Sequence, residues 1–521
     1  MTMTLKPSFR LSQASMPGTN QCACCTNSTR LPQPLTRPRD NKKAMILPAS
    51  VGHYIDGNVV ECQQAHSIAV INPATEEQIG WVARGSHETV DAAASAARDA
   101  LTNWSATPVA VRTRMLRSLA DYLVKRRAEI AAAITAELGA PVKSCAAVQV
   151  DLPVAILRDI ADHADRFEFV RRIRHSTVFM QPVGVVGAIT PWNFPLYQII
   201  AKIAPALAMG CTVVLKPSEL TPLTIPMLVN AVIDAGLPAG VLNIVNGEGS
   251  VVGEAMVQHP AIDKISFTGS TFIGKQVAAR AAASVKRLSL ELGGKSAALL
   301  LADAPLEKAL HATLASCMFN SGQTCTANTR LLIPTSMRAP AVEILAAAAD
   351  QLIVGDPTSE HTDLGPLVSD RQRQNVRDFI LQGEREGARL IAGGVERPDH
   401  LPRGYFVKPT IFAGVRPDAV IAQQEIFGPV LSIIEYSDEE DAVRIANSSE
   451  YGLAGAVWSS DTEHAIRVAR RLRTGRVDIN DAPFNISAPT GGFKRSGYGR
   501  ELGPFSLDYF VEPQSVQLPL G

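Results

Sequence analysis

The sequence predicts an α/β protein: a mostly parallel sheet with helices on both faces, a second α/β unit after it, and a small β ribbon. Three observations carry this prediction. Between residues 183 and 293, short apolar strand-like runs alternate with stretches of helical period. A second such series runs from about 296 to 480, and RFEFVRRIRHSTVFMQPVG alternates with a two-residue period just before the first. At 521 residues the chain exceeds one ordinary core, so two or three domains are expected.

Residues 1–44 stand apart. Lys6, Arg10, Arg30, Arg37, Arg39, Lys42 and Lys43 face a single acid, Asp40, and no apolar period appears. Such a segment buries too little surface to fold alone, so a disordered extension is expected; organelle targeting is the less favoured reading, and Met45 is an alternative start. From about residue 53, YIDGNVV and AVINPATEEQIGWVA read as short strands joined by Gly and Asn-Pro turns. Helical stretches are predicted over about 88–103, 109–137 and 144–163.

The first α/β series then unfolds in order. VGVVGAIT leads into a helix to about 208, TVVLKPS into a helix to Ala235, and VLNIVNG into a helix to about 258. KISFTGS leads into a helix through Ala283, and RLSLELGG closes the series. At the C-terminus, FSLDYFVEPQSVQLPL has strand character and no helix after it, which predicts pairing with the sheet edge of another chain.

Composition excludes several function classes. Fifty basic residues balance fifty acidic ones, leaving no basic face for nucleic acid or an acidic membrane. No apolar run approaches the roughly 18 residues that span a bilayer, so a soluble protein is expected. The eight cysteines (Cys22, Cys24, Cys25, Cys62, Cys145, Cys211, Cys317 and Cys325) are too few for a disulfide scaffold and fit a reducing, cytoplasmic setting. The CACC cluster lacks a second ligand pair at zinc spacing, so no metal is expected.

Four stretches carry candidate chemistry. In KISFTGSTFIGKQV a strand ends at Thr268, and Gly269 and Ser270 open a helix whose first turn contains Gly274; free N–H groups there suit an anionic pyrophosphate, although taken alone the stretch reads better as a tight strand-to-helix turn. LKPSE puts Lys216 and Glu219 beyond a strand end, where they could hold ribose hydroxyls or simply form a solvated turn. LELGGKS places Glu291 at a strand end over a possible cleft, and GAITPWNFP holds Asn193 in a rigid turn suited to an oxyanion. Each also has a structural reading, as a salt-bridge partner and a turn former. Cys325 follows Ser321-Gly322-Gln323, a helix-start-like turn expected to lower a thiol pKa, whereas Cys317 sits in an apolar helical setting that reads as packing. A nucleophile, an oxyanion donor, a carboxylate base and a dinucleotide cradle together point to covalent oxidation of a carbonyl.

Residues 46–519 resemble the aldehyde dehydrogenase superfamily, in its hydrolytic NAD(P)-dependent branch. The resemblance rests on GAITPWNFPL, KPSELTP, FTGSTFIG, LELGGKS, GQTC, EIFGPV and GGFKRSGYGRELG, all in family order. It implies a Rossmann-like cofactor domain (46–163 and 183–293), an α/β catalytic domain (294–495) and a β oligomerisation ribbon (164–182 with 505–519) that makes a homodimer or homotetramer. It implies catalytic roles for Cys325, Glu291, Asn193 and Lys202. It implies cofactor contacts from Ile189, Trp192, Lys216, Glu219, Gly269, Ser270, Gly274, Leu292, Glu425 and Phe427, with NAD favoured over NADP because Glu219 would repel a 2′-phosphate. The substrate is a small-molecule aldehyde, in a tunnel lined by Tyr197, Gln198, Ala201, Thr324, Thr326 and Phe484. Ala201 stands where relatives acting on carboxylate-bearing semialdehydes often have Arg, which favours a bulky or aromatic aldehyde. Thr490 departs from a common Phe, and INDAP from a more usual run. Glu291 is absent from most CoA-acylating relatives, so release as the free acid is expected.

Overall fold

The computed structural model describes residues 47–519. The N-terminal extension, its CACC cluster and its targeting question lie outside the described residues.

The larger sheet has eight strands. Its parallel centre runs, across the sheet, Arg287–Glu291, Lys264–Thr268, Val185–Ile189, Thr212–Lys216 and Leu242–Ile244. All five residues of Val185–Ile189, Thr212–Lys216 and Lys264–Thr268 are buried, as expected of apolar strands covered on both faces. Chain order proceeds outward from Val185–Ile189 in one direction and then returns to add Lys264–Thr268 on its other side. The order therefore reverses beside Val185–Ile189, and at such a switch point the loops beyond the strand ends part to leave a crevice. The antiparallel hairpin His53–Ile55/Asn58–Val60, turned by Asp56-Gly57, extends one edge, and Gly497–Tyr498 pairs with Arg287–Glu291 at the other.

A second sheet of seven strands contains the later αβ series in the order Arg389–Ala392, Thr410–Ala413, Val430–Tyr436, Arg330–Pro334, Ala297–Leu300, Gly455–Trp458 and Asp478–Ile479. It is parallel except for its first strand. Ser67–Ile71 and Gln78–Ala83 form the expected antiparallel pair in a separate three-stranded sheet.

The first helix, His87–Ala106, starts at a capping box between Ser86 and Thr89. The stretch predicted over 109–137 is two helices, Val109–Lys125 and Arg127–Leu138, broken where Arg126 leaves helical geometry (φ −104°, ψ 12°). Three consecutive cations, Lys125 to Arg127, fall where the first helix exposes its negative end. The 144–163 stretch is interrupted by a π-helical turn over Ala146–Asp151, a feature common near functional sites.

The ribbon forms as predicted from Val170–Ile173 and Ser176–Pro182. The C-terminal segment departs from its prediction over its first half: Gly503–Leu507 is helical, Asp508–Phe510 is a 3-10 turn, and only Val511–Gln517 is a strand. Pro504 enters at the first helical turn, and burial of Leu507 and Phe510 holds the segment against the core. Within the chain, Val511–Gln517 pairs antiparallel with Ser176–Pro182 over seven residues.

Candidate active site

Parallel registers bring the ends of distant strands level. Ile189 lies opposite Lys216, Phe267 opposite Ile189, and Thr268 opposite Glu291. The loops beyond these ends therefore open at one rim, the crevice side of the sheet.

The loop after Val185–Ile189 carries Trp192 and buried Asn193. Three hydrogen bonds fix this turn. Gln149, on the π-helical turn, and Asn320 donate to the Asn193 carbonyl at 3.2 and 3.0 Å, while Asn193 Nδ2 donates to the Gln323 carbonyl at 3.0 Å. Asn193 is thus tied to the Cys325 loop two residues before the thiol. The loop itself is tightly made. Asn320, Ser321 and Gly322 all adopt positive φ, and a Cβ on Gly322 would meet the Gly428 carbonyl at 2.1 Å. Gly322 therefore lets GQTC pack directly on EIFGP. Gly294 does the same from the other side, because a Cβ there would meet the Cys325 carbonyl at 2.5 Å. LELGGK, GQTC, EIFGP and PWNF form one interlocked set of loops.

Cys325 is partly exposed within this set. No helix begins there, which corrects the expectation of a lowered thiol pKa. Burial, followed by the carboxylates of Glu425 and Glu291, pushes the thiol up to about 12; Arg476 pulls it back down. Cys317 is buried in the apolar core, as its setting predicted.

Glu291 is buried, and its Oε1 has no hydrogen-bond partner. Burial and then the charge of Glu501 raise its pKa well above the usual carboxylate range, while Lys202 and Arg500 oppose this. Lys202 Nζ pairs with Glu501 Oε1 at 2.5 Å. Glu501 is the main residue that sequence reasoning missed. It lies in the quoted GRELG stretch, yet only folding brings it beside Lys202. Its backbone exchanges two 2.9 Å hydrogen bonds with Thr490, so the departure at Thr490 sits on the isolated β-bridge that positions Glu501.

Lys216 Nζ pairs with Glu219 at 2.8 Å. Ser270 caps the helix Thr271–Ala282 by accepting from the Ile273 N–H at 3.3 Å, leaving its hydroxyl proton free to donate. Gly274 allows close packing: a Cβ there would lie 2.4 Å from the Leu292 side chain. Glu425 accepts from the Gly294 N–H at 3.0 Å, and burial raises it to about 7. Phe427 (φ 59°) meets Trp192 edge-on at 5.3 Å. A cation and a carboxylate for vicinal hydroxyls, a capped helix start for phosphate and a half-buried carboxylate beside paired aromatics make a donor set that fits a dinucleotide.

Of the expected tunnel residues, Tyr197, Thr324, Thr326 and Phe484 are partly exposed, while Gln198 and Ala201 are buried, Ala201 within the apolar core. Arg476, which sequence reasoning did not single out, lies with its guanidinium 5.0 Å from the Phe484 ring centroid. Among the described residues, no cluster of three or more His, Cys, Asp or Glu could hold a metal, and no helix is long and apolar enough to cross a membrane.

A doubly wound crevice lined by an isolated cysteine, a buried carboxylate and a fixed amide defines an α/β enzyme of the dinucleotide-dependent kind. The chain belongs to the aldehyde dehydrogenase family, whose model matches residues 59–516. A 3-succinoylsemialdehyde-pyridine dehydrogenase from a Pseudomonas species is 45% identical, covering 89% of this chain and 97% of the relative. A cysteine-to-alanine variant of aldehyde dehydrogenase C from Pseudomonas syringae, solved with NAD+ and octanal, superposes with a TM-score of 0.89 at 43% identity, over 90% of this chain and 97% of that one. The Mycobacterium tuberculosis aldehyde dehydrogenase in complex with NAD+ has a TM-score of 0.88 at 40% identity, over 91% and 99% of the two chains.

Proposed function

We propose that this protein oxidises an aldehyde to its carboxylic acid, with NAD rather than NADP as electron acceptor and hydrolysis rather than transfer to CoA. The observation that carries this reading is the interlocking of the Cys325, Asn193 and Glu291 loops at the switch point of the sheet. Cys325 gives up its thiol proton to water and attacks the aldehyde carbon; the carbonyl π bond opens, and the oxyanion that forms is held by Asn193 Nδ2 and the Cys325 N–H. NAD, when bound, supplies the hydride acceptor. Lys216 and Glu219 hold its adenosine ribose, Ser270 and the turn at Gly269 its pyrophosphate, and Glu425 its nicotinamide ribose. Ile189, Gly274 and Leu292 shape the crevice, and Trp192 and Phe427 wall it. The acyl group is left on Cys325 as a thioester, and Glu291 takes a proton from the water that hydrolyses it. Lys202 and Glu501 set the charge around Glu291.

The eight-stranded sheet fits a cofactor domain of 46–163 and 183–293, and the seven-stranded sheet a catalytic domain of 294–495. The ribbon at 164–182 and the segment 505–519 offer exposed apolar residues, Val170, Ile173 and Val516, at the edges of a three-stranded sheet suited to a homodimer or homotetramer. A bulky or aromatic aldehyde is favoured by a relative named for a pyridine-bearing semialdehyde, although Ala201 itself is packed in the apolar core.

NADH formation with and without CoA tests the reaction. The wild type is expected to form NADH stoichiometrically with acid whether or not CoA is present. Cys325→Ala abolishes turnover, and a strict CoA requirement or retained turnover would overturn the mechanism. Succinate semialdehyde oxidised far faster than benzaldehyde-like substrates would overturn the substrate class.

A further inference from the structure

In the π-helical turn Ala146–Asp151 the Leu152 N–H reaches back five residues to the Ala147 carbonyl. Val148, Gln149 and Val150 of this turn are all buried, and Gln149 is an unexpected occupant. It is 2% exposed, its Nε2 makes one hydrogen bond, to the Asn193 carbonyl at 3.2 Å, and its Oε1 is buried without a partner. An apolar side chain of the same size would suit stability better, because a buried amide oxygen without a partner costs free energy.

The bond that Gln149 does make goes to the residue that holds the oxyanion. Asn193 is fixed at both ends: its carbonyl accepts from Gln149 and Asn320, and its Nδ2 donates to the Gln323 carbonyl at 3.0 Å. An amide nitrogen carries a second N–H, which is left for the oxyanion. Asn320 belongs to the Cys325 loop itself. Gln149 comes from the helical layer, whose Val150 and Val154 pack in the large apolar core, so it sets the turn against an independent part of the fold. Without the Gln149 donor the carbonyl still accepts from Asn320, so the fold keeps that group satisfied while the turn loses an anchor.

We propose that Gln149 is a positioning residue for the oxyanion: through the Asn193 carbonyl it holds Asn193 Nδ2 where charge builds on the aldehyde oxygen. The inference rests on the aldehyde-oxidising reading and adds a residue to it. Such a donor acts only when aimed beforehand, and a displacement of about 1 Å costs about 100-fold in rate.

The test compares the wild type with Gln149→Leu and Gln149→Met in NADH formation from benzaldehyde and from hexanal, and in thermal unfolding. A third readout is inhibition by phenyl trifluoromethyl ketone, to whose carbonyl carbon the Cys325 sulfur adds to give a tetrahedral oxyanion. Both variants should melt at or above the wild-type temperature and keep its KM for NAD, with kcat/KM for the aldehyde lowered about 10- to 100-fold. The inhibition constant of the ketone should rise by a similar factor, because its adduct uses the same donor. In an Asn193→Ala background Gln149→Leu should leave kcat/KM unchanged to within about twofold, since no amide remains to be aimed. Unchanged kcat/KM, a clear loss of thermal stability in both variants, an unchanged inhibition constant, or an equal loss in the Asn193→Ala background overturns the role of Gln149 alone. Failure of the wild type to form NADH with either aldehyde overturns the underlying function as well.

Discussion

Alkylation of Cys325 by iodoacetamide is expected to keep rising with pH through pH 10, with no plateau. A thiol pushed up to about 12 is ionised at pH 8 in about one molecule in ten thousand, whereas an unperturbed thiol near 8.5 is about one quarter ionised. That is a deficit of about two thousandfold in thiolate. A more basic thiolate is also the better nucleophile, and with a Brønsted coefficient of about 0.4–0.5 this returns about 30- to 60-fold. Cys325 at pH 8 should therefore react about 50-fold more slowly than a free thiol in solution. The structure also says which residues hold it there. Burial comes first, then Glu425, then Glu291, opposed by Arg476. Glu425→Gln and Glu291→Gln should each speed alkylation, and Arg476→Met should slow it. The assay is the time course of labelling on the Cys325 peptide by mass spectrometry, which separates it from the partly exposed Cys62. A plateau with an apparent pKa below about 9, or no acceleration in either carboxamide variant, would refute the electrostatic account.

Two further outcomes follow from the Lys202–Glu501 pair. Its side chains are 0% and 9% exposed, so Lys202→Met leaves a buried unpaired carboxylate and should cost about 3–5 kcal/mol, while Lys202→Met/Glu501→Leu should recover most of the loss in thermal unfolding. The charge of Glu501 raises the Glu291 carboxyl, so Glu501→Gln lowers it. Turnover that needs ionised Glu291 is lost as pH falls through that pKa, so the acid limb of the kcat–pH profile should move to lower pH in Glu501→Gln; a shift to higher pH would contradict this arrangement.

Much of this protein could be read from local sequence. Val185–Ile189, Thr212–Lys216 and Lys264–Thr268 are short β-branched runs buried on both faces, and a strand of that kind announces itself by composition. Asn193, Lys216, Gly269 and Glu291 follow or end such strands, so their place at the rim was implied by their position in the chain. The ribbon at Val170–Pro182 was equally plain from its two-residue period. What was misread depends on tertiary packing. The break at Arg126 and the helical start of the C-terminal segment lie within otherwise continuous patterns, and burial of Leu507 and Phe510 decides the second.

The chemistry divides along the same line. The sequence alone determined the types of reactive group, because a thiol, a carboxylate and an amide are properties of single residues in recognisable turns. Only the tertiary structure decided their electrostatic state. Cys325 looked activated by its turn, but burial first, then Glu425 and Glu291 from other loops, push its thiol up; burial first, then Glu501, raises Glu291, with Lys202 opposing. Charges act through space and weaken with distance in space, not along the chain.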